Sequence, residues 1–141
     1  MIERPRYFIL QEFIPRSLFQ QHAHEQDKLW GCMDGRVLWT ADAIRKRFGK
    51  MIMNTWFFGG IHQERGVRLF GTETGAPLSQ HKFGRAGDMV PIEVTAEEIR
   101  KDILTHPGRQ EYQYIRCIEE GTSWFHFDVR NWTGPILIVK P

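Results

Sequence analysis

A histidine and an aspartate, His81 and Asp88, lie seven residues apart in the middle of the chain. Three small residues, Gly84, Ala86 and Gly87, separate them and leave the backbone free to bring both side chains to one point. Imidazole nitrogen and carboxylate oxygen are both ligands of Zn²⁺, and a catalytic zinc site uses three protein ligands and keeps a fourth position open. The spacing therefore predicts two of the three ligands of a zinc site.

The third ligand is predicted in segment 124–130, where apolar and polar residues alternate. Alternation is typical of a β-strand, whose successive side chains point to opposite faces. Three residues are expected to face the core: Phe125, Phe127 and Val129. Four are expected to share the other face: Trp124, His126, Asp128 and Arg130. The same pattern occurs in any half-exposed antiparallel strand, so His126 is a ligand only in combination with His81 and Asp88.

Helices and further strands must position these residues. The sequence predicts helices from Pro15 to about Gln21, from Val37 to Phe48 with Gly49 as the stop, and from a capping box at Thr95 and Glu98 to His106. It predicts strands at 51–54, 88–90, 112–118, 124–129 and 136–139, with a hairpin turn at 119–123. Segment 57–78 has little periodicity and is expected to border the binding cleft. The expected fold is α+β, a small antiparallel sheet with helices on one face.

Composition limits the possible functions. A chain of 141 residues fits one domain, 1–141. Its 19 basic and 17 acidic side chains are scattered, which argues against a nucleic-acid binder, and its longest apolar run is too short to span a bilayer. Cys32 and Cys117 are isolated and are expected to be reduced, buried thiols. The charged N-terminal segment 1–6 lacks the pattern of a secretory signal, so synthesis in the cytoplasm without Sec export is expected.

The segment around His81 resembles a known motif. The pattern Ser-x-His-x-x-Gly-x-Ala-x-Asp is typical of the zinc peptidase family of D-Ala-D-Ala carboxypeptidases and L-alanyl-D-glutamate endopeptidases, whose fold recurs in Hedgehog signalling domains. Here it is matched at every position, by Ser79, His81, Gly84, Ala86 and Asp88. Segments 8–13 and 124–130 are similar to the single-domain, often phage-encoded branch of the family.

The resemblance implies a function and a site. It implies Zn²⁺ bound by His81, Asp88 and His126, and hydrolysis of an amide bond in the peptide part of bacterial peptidoglycan. Segment 54–68 is similar to the family segment that supplies an arginine for the substrate carboxylate, which here is Arg68. A monomeric phage endolysin, or a lysin carried in a virion and acting on the wall after release, is the expected setting.

One position departs from the family pattern. Well-studied members carry a Glu or Asp three residues before the last histidine as general base, and this chain has Ser123 there, which cannot accept a proton from water at neutral pH. Asp128 is the preferred replacement because the strand fixes its direction, and Glu120 in the turn is the other. Asp128 could equally orient His126 without touching substrate.

Two other functions stay open on the sequence. The first is a catalytically inactive module of the same fold that keeps zinc for stability and serves as a wall-binding or virion structural protein. The second is a globular binding protein without a metal, which requires the motif at Ser79–Asp88 and the His126 strand to coincide by chance.

Overall fold

The structure, a computed structural model, describes residues 4–141. It combines α-helices with one five-stranded sheet in the order β1-β2-β4-β3-β5. The helices are α1 (Arg16–His22), α2 (Gln26–Trp30), α3 (Gly35–Phe48) and α4 (Ala96–Thr105). The strands are β1 (Met51–Ile52), β2 (Ala86–Pro91), β3 (Cys117–Glu119), β4 (Phe125–Asp128) and β5 (Leu137–Val139). The α+β class expected from the sequence is confirmed.

The sheet is mixed, and the prediction of an antiparallel sheet was wrong in this respect. Strands β1, β2, β4 and β3 pair antiparallel in that order, but β5 pairs parallel with β3. The chain leaves β4 and passes through segment 129–136 before it returns beside β3. A parallel neighbour needs such a connection because a tight hairpin turn can join only antiparallel strands.

Helices α3 and α4 form where the sequence predicts them. In α3 the carboxylate of Asp34 accepts a hydrogen bond from Arg36 N, and Gly49 follows the last helical residue. The apolar stripe is buried at Val37, Ala41 and Ile44, all 0% exposed. For α4, the predicted capping box is present: the Thr95 hydroxyl accepts from Glu98 N at 3.1 Å, and the Glu98 carboxylate accepts from Thr95 N at 2.6 Å.

The boundaries of the early elements differ from the prediction. Pro15 is the N-cap of α1 rather than its first residue, and α1 ends at His22. Helix α2 was not predicted, since it has five residues and shows no full apolar repeat. Phe13 is fully buried, and Leu18 and Phe19 of α1 pack against the core.

The predicted strand 112–118 was wrong in its first half. Gln110–Tyr112 forms a 3₁₀-helix, and β3 begins only at Cys117. Tyr112 and Ile115 are both buried, each 1% exposed. Residues three apart lie on the same side of a 3₁₀ turn, so the apolar spacing here belongs to a turn and not to a strand.

Segment 59–79 contains no helix or strand, in agreement with the predicted irregular stretch. No helix within residues 4–141 has the length and apolar character needed to cross a membrane.

Both cysteines are free thiols, but only Cys117 is buried, and the expectation of a buried Cys32 was wrong. The expectation of synthesis without Sec export rests on segment 1–6, and residues 1–3 of that segment lie outside the described residues.

Candidate metal centre

His81 is presented by a short 3₁₀-helix, Gln80–Phe83, that the sequence did not predict. The Ser79 hydroxyl accepts a hydrogen bond from His81 N at 3.4 Å and caps the helix. Gly84 ends it with φ of 69°, a left-handed conformation that costs little only for glycine. A Cβ on Gly84 would lie 1.9 Å from the carbonyl oxygen of Cys32. The serine and glycine of the motif therefore shape the backbone that carries His81.

Asp88 and His126 are direct partners on neighbouring strands β2 and β4. The Asp88 Oδ1 atom lies 2.7 Å from His126 Nδ1 and 3.2 Å from His81 Nε2. The three ligand atoms all lie within 4.8 Å of one another. His81, Asp88 and His126 are 1%, 7% and 5% exposed. The structure thus brings the three sequence-predicted ligands together in a buried cluster.

The Nδ1 atom of His81 already has a hydrogen-bond partner. His81 Nδ1 donates to the carbonyl oxygen of Gly66 at 2.7 Å, which leaves Nε2 as the nitrogen that faces Asp88. This buried Nε2 has no hydrogen-bond partner among residues 4–141. A buried polar atom without a partner is uncommon and calls for an explanation such as an ion.

His126 is held in the same manner by a different partner. Its Nε2 lies 3.4 Å from Asp128 Oδ2, on the opposite side of the ring from Asp88. Arg130 donates to both oxygens of Asp128, from Nε at 2.8 Å and from Nη2 at 2.6 Å. Asp128 is 0% exposed, so its carboxylate supports the ring of His126 and is shielded from solvent.

Arg68 lies beside the cluster and contacts Asp88. Its Nη2 donates to Asp88 Oδ2 at 2.9 Å and its Nε donates to the Glu64 carbonyl oxygen at 2.8 Å. The side chain is 12% exposed. Arg68 therefore holds the second oxygen of Asp88, so that Oδ1 is the oxygen left for the two histidines.

The charges of the cluster are strongly coupled. Burial raises the pKa of Asp88, but the hydrogen bond from His126 and the charge of the nearby His81 imidazole outweigh burial and hold that pKa well below its usual range. For His126 burial lowers the pKa, while its hydrogen bonds to the carboxylates of Asp128 and Asp88 raise it to a net value of about 9. Burial also raises the pKa of Asp128, and Arg130 and His126 lower it overall. Both aspartates are thus carboxylates at neutral pH.

The donor set fits a zinc-type ion. Two imidazole nitrogens and one carboxylate oxygen match the ligands of a catalytic zinc site. Metal-bound histidines usually donate their other N–H to a carbonyl or carboxylate, as His81 does to Gly66 and as Asp128 permits for His126. Bond lengths of 2.0–2.1 Å imply a separation of about 3.3 Å between tetrahedral ligand atoms. The 3.2 Å between His81 Nε2 and Asp88 Oδ1 is close to that value, whereas the 2.7 Å between His126 Nδ1 and Asp88 Oδ1 is a hydrogen-bond distance. The group could hold a metal ion.

Glu119 is a functional candidate that the sequence interpretation missed. The β3–β4 register pairs Ile118 with Phe127, and one step further brings Glu119 opposite His126 on the same face of the sheet. Its Oε1 lies 4.0 Å from His126 Nδ1, the nitrogen that faces Asp88, and its side chain is 22% exposed. The hairpin register could have identified Glu119, because cross-strand partners share a face.

The other residues considered for the general base lie elsewhere. Ser123 and Glu120 are exposed in the hairpin turn, and Glu120 lines a cavity beside α4 and β5. Buried Arg100 of α4 anchors this turn by donating to the Thr122 carbonyl oxygen at 2.7 Å and to that of Trp124 at 3.2 Å. The turn is therefore tied to α4.

Comparison with known proteins identifies no family. No protein-family model matches the chain, and neither a curated protein nor a solved structure gives a significant match.

Proposed function

We propose that the chain is a zinc-dependent peptidase that hydrolyses an amide bond in the peptide part of bacterial peptidoglycan. The observation that carries the proposal is the buried cluster of His81, Asp88 and His126, with the unpartnered Nε2 of His81 directed at Asp88. The choice of zinc and of a wall peptide rests on the resemblance of segments 79–88 and 124–130 to the family of zinc wall peptidases.

The roles of the side chains follow from their contacts. A zinc ion, when bound, polarises a carbonyl group and makes water acidic enough to ionise near pH 7. Asp128 is a positioning residue, since it holds His126, and Arg68 holds Asp88 through its Nη2 atom. Glu119 is the partly exposed carboxylate nearest the ligand nitrogen of His126, and we assign it the transfer of a proton from water to the leaving amine. Nη1 of Arg68 makes no hydrogen bond within residues 4–141 and is the nitrogen left to meet a substrate carboxylate.

Metal content and wall cleavage test the proposal together. The purified protein is expected to carry about one equivalent of zinc by elemental mass spectrometry, and to release peptide fragments from purified peptidoglycan. His81→Ala and His126→Ala are expected to lose both properties. His24→Ala is the matched control, because this side chain is 77% exposed. A parent protein that takes up no zinc and leaves peptidoglycan uncut would contradict the proposal.

The role of Glu119 is tested separately from zinc binding. Glu119→Gln removes the proton acceptor and keeps the shape of the side chain, so kcat is expected to fall roughly 10²–10⁴-fold with zinc content unchanged. Glu120→Gln, one residue later and exposed, is the control and is expected to keep full activity. Equal rates for Glu119→Gln and the parent would exclude Glu119 from proton transfer.

A second candidate function is a zinc-containing module without catalysis, serving in wall binding or in a virion. The observation that favours it is the absence of an acid at Ser123 together with the complete burial of Asp128, 0% exposed. Zinc binding with no peptide product by mass spectrometry, and retention of the protein on insoluble peptidoglycan, would select this function over hydrolysis.

A further inference from the structure

A second candidate site lies on the solvent side of α3 and shares no residue with the metal cluster. A cavity of about 620 Å³ is bounded by segment 4–7, by α3 and by Gln110 and Glu111. The helix contributes Trp39, Asp42, Ala43, Lys46 and Arg47, residues that recur at intervals of three and four positions and so lie along one face. Small-molecule sites have volumes of roughly 300–1,000 Å³, and this cavity falls within that range.

The cavity is lined by four basic side chains, Arg4, Arg6, Lys46 and Arg47, and by two carboxylates. Two of the four cations are already paired with carboxylates outside the lining, Arg4 with Asp27 and Arg47 with Asp102. Arg47 is held in place by Asp102, to which its Nε donates at 3.0 Å. Arg6 and Lys46 form no salt bridge with a carboxylate of residues 4–141. Among residues 4–141, these two cations have no carboxylate partner and can therefore meet an anion.

One of the two carboxylates, Asp42, holds one side of the cavity in place. Asp42 Oδ2 accepts a hydrogen bond from Arg6 N at 2.6 Å, and its Oδ1 accepts one from Tyr7 N at 3.2 Å. These bonds fix the segment that carries Arg6 and Tyr7 against α3. Both oxygens of Asp42 thereby accept from backbone N–H groups, and its negative charge still offsets part of the positive charge at the cavity.

The remaining lining is aromatic and polar. Tyr7, 44% exposed, and Trp39 both line the cavity. The Trp39 ring is held in an edge contact with Tyr114, with ring centres 5.3 Å apart and an angle of 85° between the planes. Gln110 adds an amide that can both donate and accept. An aromatic surface beside two cations that have no carboxylate partner within residues 4–141 suits a ligand that has a planar ring at one end and a strong negative charge at the other.

We propose that this cavity binds a nucleoside phosphate. The phosphate group contacts Arg6 and Lys46, and the base stacks against Trp39 or Tyr7 with its edge near Gln110. This inference does not depend on the proposed peptidase function, because the two sites use different residues.

Calorimetric titration of the 141-residue protein tests the proposal, with adenosine 5′-monophosphate as the probe and with adenosine and inorganic phosphate as its separate parts. The nucleotide is expected to bind at least tenfold more tightly than either part. The double variant Arg6→Ala/Lys46→Ala is expected to weaken nucleotide binding about tenfold or more, since it removes charge-assisted hydrogen bonds. Trp39→Leu is expected to weaken binding of the nucleotide and leave binding of inorganic phosphate unchanged.

A matched control separates a site from general attraction. Lys101→Ala/Arg109→Ala removes two exposed cations outside the cavity and is expected to bind the nucleotide as the parent does. An equal loss in both double variants, binding of phosphate as tight as that of the nucleotide, or no binding at millimolar concentration would each overturn the proposal. His81→Ala is expected to bind the nucleotide normally, so failure of this site and failure of the peptidase function are distinguishable.

Discussion

The contacts of Asp128 indicate that it orients the ring of His126. Its carboxylate meets Nε2 of His126 while Asp88 meets Nδ1, and it has no exposure to water. Asp128→Asn is therefore expected to lower zinc affinity, by about 10–100-fold as for other residues that orient a ligand. Competition with a chromophoric chelator measures the change. Glu120→Gln is the control, and a zinc affinity of Asp128→Asn within twofold of the parent would contradict this role.

Within the motif at 79–88, Gly84 is the residue whose substitution is most clearly expected to destabilise the fold. Its φ is left-handed, and an added Cβ would lie only 1.9 Å from the Cys32 carbonyl oxygen, which leaves no room for a side chain. Gly84→Ala is expected to destabilise the fold by more than about 1 kcal/mol and to weaken zinc binding, because His81 lies in the adjoining turn. Urea unfolding and zinc titration measure both effects.

Gly108→Ala is the matched control for that substitution. A Cβ at Gly108 would meet no atom within 4 Å, and its φ lies outside the left-handed region. We expect it to keep the zinc affinity of the parent and nearly the same free energy of unfolding. If Gly84→Ala behaves like Gly108→Ala, the close contact with Cys32 does not hold the His81 turn.

Among the elements, α3, α4 and the turn at Gln110–Tyr112 are joined through one carboxylate. Asp102 of α4 accepts from Arg47 Nε at 3.0 Å and from the Tyr112 hydroxyl. Asp102→Asn removes the negative charge from both bonds, and hydrogen bonds to charged groups contribute roughly 1.5–3 kcal/mol each. We expect the free energy of unfolding at pH 7 to fall by about 2 kcal/mol, as measured by urea denaturation.

The pH dependence of this effect has a definite sign. Burial raises the pKa of Asp102, but Arg47 and Tyr112 outweigh burial and hold that pKa below its ordinary value. A lowered pKa contributes stability above the unfolded-state pKa, and that contribution is lost as the pH falls through the folded-state pKa. The parent is therefore expected to exceed Asp102→Asn in free energy of unfolding by the whole of this amount at about pH 6–7. The difference in free energy of unfolding is expected to shrink below about pH 4. Asp27→Asn, at a side chain 89% exposed, is the control and should have little effect at any pH.

How well the sequence predicted each element depended on how local its signals were. The capping box at Thr95 and the apolar stripe of α3 are determined within one or two turns, so both helices were predicted correctly. Strand β3 has only three residues, and its limits depend on pairing with β4 and β5, which no local pattern encodes. Glu119 was missed because the sequence interpretation placed it in the hairpin turn 119–123, whereas in the structure it is the last residue of β3 and lies opposite His126.

At the scale of the whole molecule, the candidate site was predictable only in part. The motif identified His81 and Asp88, and strand alternation identified His126, because those signals lie within ten residues of sequence. The support of these ligands comes from further away: Gly66 contacts His81 across 15 positions, and Arg68 contacts Asp88 across 20. The sequence assigned Arg68 to a substrate carboxylate, a role that stays a prediction, and gave no indication of its bond to Asp88.

A bound ion would join parts of the chain that are distant in sequence, and this gives the last prediction. His81 lies in a 3₁₀ turn, Asp88 on β2 and His126 on β4, so ligation requires the folded arrangement of all three. A ligand that binds only the folded state stabilises it by about 4 kcal/mol at 1,000 times its dissociation constant. We expect added Zn²⁺ to raise the Tm of metal-free protein by several degrees, and a chelator to reverse the rise. His126→Ala should show no such rise, whereas His24→Ala should behave as the parent does. An equal rise in Tm for His126→Ala would mean that zinc stabilises the protein at another position, and the cluster of His81, Asp88 and His126 would no longer account for metal binding.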